Sequence, residues 1–162
     1  MKIKLTIIAF VLALTSLQVH AQHYRTGIGA RLGYFNGITL KHFVSESNAL
    51  EGIASFRWNG FIITGLYEWQ KPIQGAKGLD YELGLGAHIG AWGDRSDPYW
   101  HKDDPFDDNS FTVVGVDFIA GLEYTFPEVP FNIALDWKPA FNFGGNRWWG
   151  DGLALSIRYT FK

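Results

Sequence analysis

The densest group of residues with ligand chemistry is the stretch DRSDPYWHKDDPFDDNS. It holds Asp94, Asp97, Asp103, Asp104, Asp107 and Asp108, with Arg95 and Lys102 as its only fixed positive charges. Carboxylates this close together can bind Ca²⁺ or Mg²⁺ through hard oxygen ligands. Their spacing matches no EF-hand loop, and a solvated acidic loop is the simpler reading, so no metal or cofactor is expected. Tyr99, Trp100 and Phe106 in the same stretch give it a second chemistry, because exposed rings anchor protein partners. Trp148 and Trp149, in the later stretch GGNRWWGD, are expected to pack beside it as part of one surface-interaction loop set.

A catalytic set is harder to assemble. Beyond the N-terminal region the histidines are His23, His42, His88 and His101. His88 shares a strand face with Glu82 and Asp80, and Ser156 is the one serine on the last strand. A Ser/His/acid arrangement needs these groups in hydrogen-bond reach, and no spacing in the chain brings them together. No enzyme activity is expected, with a lipid A or phospholipid-modifying barrel as the alternative. The sequence contains no Cys, which excludes disulfides, thiolate metal sites and a lipid-modified N-terminal Cys.

The elements that must position these residues read almost entirely with period two. The first 21 residues are an exception: Lys2 and Lys4, then the apolar run from Leu5 to Leu14, then Val19 and Ala21 at a small-residue cleavage pattern. These are the parts of a secretory signal, too short and too poorly flanked to be a spanning helix. Loss of its two lysines moves the formal charge from -2 to -4, so nothing points to nucleic acid. Residues 22–162 then form one domain.

Alternating segments are read at 24–34, 38–45, 50–58, 61–70, 79–92, 111–126 and 131–143, and at the terminal GLALSIRYTFK. Asn36-Gly37 and Asn59-Gly60 read as hairpin turns, since Asn-Gly supplies positive φ. Pro139 removes a ladder donor within the seventh segment, so a bulge or a break in pairing is expected there. Eight antiparallel strands in a domain this small predict an up-and-down β-barrel, which leaves no sheet edge.

Alternation does not say which face points inward. A lipocalin-like carrier has its apolar face inside; a barrel in a membrane has it outside. Three patterns favour the second. Tyr24, Tyr67, Trp69, Tyr81, Tyr124, Phe126, Phe131, Tyr159 and Phe161 all fall at one end of the strands on the apolar parity, as an aromatic girdle would. The opposite parity mixes glycines with both signs of charge, among them Arg31, Arg57, Glu82, Asp117, Glu123, Asp136 and Arg158, which suits a narrow interior where small residues make room for long ones. The longest connection follows strand five and the short PEVP follows strand six, as in outer-membrane barrels with long loops at one end.

The signal, the eight segments and the closing LALSIRYTF together resemble the small eight-stranded outer-membrane barrels of the OmpX, OmpA and opacity-protein type. GLEYTF, NIALDWKPAFNF and LSIRYTF also resemble small barrels common in Bacteroidota. The resemblance implies an eight-stranded antiparallel up-and-down transmembrane β-barrel in the outer membrane of a Gram-negative bacterium. It implies contact with outer-membrane lipid and lipopolysaccharide, and with the barrel-assembly machinery during biogenesis. It further implies a monomer acting through surface loops, with mixed interior charge that disfavours a wide channel. One departure is Lys162, which follows the terminal aromatic Phe161, and the tight first and second upper connections depart from an adhesin-like protruding sheet.

Overall fold

In a computed structural model of the chain, the described residues are 24–57, 60–93, 110–143, 147–150 and 152–162. The expected signal peptide, Trp58 and the acidic stretch 94–109 lie outside them. The described residues hold ten strand segments: β1 (Thr26–Gly33), β2 (Asn36–Phe43), β3 (Asn48–Arg57), β4 (Gly60–Pro72), β5 (Leu79–Gly93), β6 (Ser110–Thr125), β7 (Phe131–Trp137), β8 (Ala140–Asn142), β9 (Trp148–Trp149) and β10 (Leu153–Phe161). Paired strands are antiparallel throughout, β5 pairs with β6, and β10 returns to β1, so the sheet closes on itself. β7 with β8, and β9 with β10, are broken staves, which leaves a closed eight-stranded antiparallel barrel.

The stagger of the wall follows from the registers. Starting at Tyr124, ladder partners lead through Ile133, Ile157, Ala30, Ile38, Ala54, Ile63 and Ile89 to Val114. One circuit therefore returns to β6 ten residues from its start. That is a rise of about 33 Å against a wall width of about 38 Å, hence a strand tilt of about 40°. Every residue on this circuit lies on the outward parity, so the register aligns the apolar sides of all eight staves.

Two local readings of the sequence are corrected. Asn36-Gly37 is not the first turn: β2 begins at Asn36, and the reversal lies at Tyr34-Phe35, with Gly33 N donating to Asn36 Oδ1 at 3.1 Å. Gly37 is needed for closeness, because a Cβ there would lie 2.1 Å from Ala54 O. Among described glycines the positive φ values belong to Gly75 and Gly78, in the turn between β4 and β5. Gly60 is likewise a strand residue, paired with Arg57, while Asn59 is outside the described residues.

The break expected at Pro139 is present. β7 stops at Trp137 and the ladder resumes at Ala140 in the same register against β6, with Phe118 N donating to Pro139 O at 2.9 Å. The opposite stave carries the irregularity. Trp137 pairs with Leu153 and Ala140 pairs with Trp149. The register thus shifts by one residue between the Trp137–Leu153 pair and the Ala140–Trp149 pair, the offset of a β-bulge.

Candidate functional site

The wall sorts residues by chemistry, apolar outward and charged inward. Ile28, Leu40, Ile63, Leu83, Leu122 and Ile157 are among its exposed outward side chains. Arg31, Lys41, Glu51, Glu68, Glu82, Asp117, Glu123, Asp136 and Arg158 are buried. Arg57 lies on β3, but its side chain is outside what the structure describes.

The inward groups meet in three layers. Nearest the chain termini, Lys41 Nζ reaches Glu82 Oε2 at 2.5 Å, Glu68 Oε2 at 2.8 Å and Glu123 Oε2 at 3.3 Å. Arg158 joins this group through Glu123 (3.0 Å) and Glu51 (2.5 Å), and Thr39 donates to Glu51. Gln70 Nε2 donates to Glu123 at 3.0 Å and to Asp80 at 2.9 Å. In the middle layer Arg31 forms a bidentate pair with Asp136 (2.7 Å for Nη1 to Oδ2) and touches Ser156 at 3.4 Å. Such forks fix both partners in one orientation. Desolvating these ions is costly unless each is paired, and the network supplies partners from strands far apart in sequence.

The third layer is built on His88. Its Nδ1 lies 2.7 Å from Asp117 Oδ2 and its Nε2 2.8 Å from Asn142 Oδ1. Lys138 Nζ donates to the other Asp117 oxygen at 2.5 Å. Gly115 makes room for this group: a Cβ there would stand 2.5 Å from His88 Cε1. Both His88 ring nitrogens are engaged, and Ser156 sits with Arg31 instead, so these groups do not form a Ser/His/acid relay.

Aromatic side chains lie at both ends of this interior, and sequence parity misplaced one at each. Tyr24, expected in the outer girdle, is buried inside. Its hydroxyl donates to Glu123 Oε1 at 2.8 Å and its ring meets Phe43 edge-on at 5.1 Å. The cause is that Tyr24 precedes β1, where alternation no longer constrains direction. At the far end Trp149, expected on a surface loop, is partly buried. Its ring stacks on His88 (5.4 Å between centroids, 19° between planes), contacts Phe35 at 5.5 Å and packs over Ile62 and Val113. Trp148 is exposed.

The other girdle candidates lie at the end that carries the termini. Tyr67, Trp69, Tyr81, Tyr124, Phe131, Tyr159 and Phe161 are outward and exposed, and Phe126 is half-buried beside Tyr124. Edge-on ring pairs link Tyr67 with Trp69, Phe131 with Tyr159, and Tyr159 with Phe161. Of the acidic-loop candidates (Asp94, Asp97, Tyr99, Trp100, Asp103, Asp104, Phe106, Asp107 and Asp108), none falls among the described residues. The described residues hold no cluster of three or more metal-ligating side chains arranged for a metal ion.

A closed eight-stranded barrel with an apolar outside and a charged, paired inside is the class these features define. The fold is similar to the N-terminal β-barrel domain of OprF from Pseudomonas aeruginosa, a crystal structure, with a TM-score of 0.60 and 13% sequence identity over 84% of this chain and 95% of that one. No protein-family model matches the chain, and no curated protein sequence does.

Proposed function

We propose that the chain is an integral outer-membrane barrel of a Gram-negative bacterium, exported by a signal peptide over residues 1–21. Its interior is filled by side chains, and its role is structural or interactive, through the connections at the end opposite the termini. One observation carries this reading: the exposed side of the closed wall is apolar while Lys41, Glu82, Glu123 and Arg158 are fully buried. A water-soluble barrel has the reverse arrangement, and a lipocalin-like carrier needs an apolar cavity. The barrel is a monomer in contact with lipid and lipopolysaccharide, delivered by the barrel-assembly machinery. No enzyme activity is part of this reading, and His88 is assigned to the wall, bonded to Asp117 and Asn142.

Detergent dependence tests the reading. The mature chain, 22–162, is expected to need detergent for extraction and to migrate differently on gels when unboiled. A monodisperse protein in plain buffer would overturn it. Deleting residues 98–109 is expected to leave that gel shift intact while abolishing partner binding at the surface. Loss of Phe161 is expected to impair assembly far more than loss of Lys162.

A further inference from the structure

The β-bulge offset between Trp149 and Leu153 has a consequence for side-chain direction. On β10 the odd residues Leu153, Leu155 and Ile157 face outward. An uninterrupted ladder would continue that parity and turn Trp149 outward as well. The extra residue reverses it: Trp148 points out and Trp149 points in. The bulge is pinned from both sides. Trp137 Nε1 donates to Gly150 O at 2.8 Å, and Lys138 N donates to Gly152 O at 3.0 Å. At Gly152 a Cβ would lie 2.0 Å from Lys138 O, so this approach requires glycine.

His88 holds the indole that the bulge delivers. It presents its ring face to Trp149 and its Nε2 edge to Asn142, while Asp117, itself held by Lys138, fixes it to the wall. Phe35 meets the same indole from the β1–β2 turn. We propose that Trp149 is a stopper for the end of the barrel opposite the chain termini, set inward by the bulge and seated on His88, which denies small polar solutes entry to the charged interior. The proposal rests on the side-chain-filled interior proposed above.

Because the chain has no Cys, one introduced thiol reports access cleanly. Thr64 is buried, faces inward and pairs with His88 across the ladder. The Thr64→Cys protein, refolded in detergent, is treated with a small charged methanethiosulfonate reagent. Adding Trp149→Ala is expected to speed labelling about tenfold or more, as removal of local protection does. Trp148→Ala, which removes the outward indole, is expected to leave the rate unchanged. Equal rates with and without Trp149 would overturn the stopper. If Trp149→Ala does not fold, Trp149→Phe carries the test, with a smaller acceleration expected and an unaltered rate overturning the proposal. The gel shift of unboiled samples is read on the same material, so a failed stopper and a failed membrane reading give different results.

Discussion

Gly115 stands directly across the β5–β6 ladder from His88, and the space its missing side chain leaves is filled by the imidazole. A Cβ at Gly115 would also come within 2.4 Å of Phe141 O, so neither neighbour can yield cheaply. Gly115→Ala is expected to destabilise the barrel by about 1–3 kcal/mol. Outward Gly52 and Gly65 pair with each other, and a Cβ on either would meet open space. Gly52→Ala is expected to be neutral or stabilising by about 0.5–1 kcal/mol. Urea unfolding of the two variants and the parent protein in detergent, followed by tryptophan fluorescence, separates them.

Arg31 and Asp136 engage mostly each other. Removing either one alone, as Arg31→Met or Asp136→Leu, strands a buried charge and is expected to cost about 3–5 kcal/mol. The double variant is expected to recover most of that loss, because no uncompensated ion remains. Unfolding midpoints of the four proteins in the cycle measure the coupling. Additive losses would mean the pair contributes nothing as a pair.

The outward face is expected to respond to charge by depth. Ile157 lies near the middle of β10 and Phe131 at the terminus-bearing end of β7. In lipid vesicles Ile157→Lys is expected to cost about 2–4 kcal/mol and Phe131→Lys about 0–1 kcal/mol. Equal and small costs would contradict a hydrocarbon environment around Ile157.

Tyr24 is expected to behave as an interior residue. Tyr24→Phe keeps the edge-on contact with Phe43 and removes one of several donors to Glu123. A loss of about 0.5–1.5 kcal/mol is expected from the shift in unfolding midpoint. A girdle residue, with its hydroxyl in headgroup water, would lose less.

Period-two alternation made the staves and their two faces legible, and inward charge of both signs indicated which face was which. Pro139 announced its own break. What alternation could not reach were residues just past strand ends. Tyr24 has the parity of Ile28 but turns under the barrel, and Trp149 has the parity of Leu155 but is reversed by one inserted residue. A bulge is visible only when two staves are counted against each other, and one chain read alone offers no such count. The Asn-Gly pairs misled for a related reason: at Gly37 glycine answers to a neighbouring carbonyl, which only the folded register brings near.

The ten-residue stagger also bears on how the chain closes its circle. β1 and β10 are the two ends of the strand sequence, and nothing in their own alternation distinguishes one even offset from another. A slip of one residue would turn Arg158 and Ser156 outward, and in the membrane proposed above that costs about 2–4 kcal/mol for the arginine alone. A slip of two would keep the faces but carry Arg158 along the wall, away from Glu51 and Glu123. The interior ion pairs therefore act as a gauge for the seam, favouring the alignment of the first and last strands in which Arg31 meets Asp136 and Arg158 meets Glu51 and Glu123.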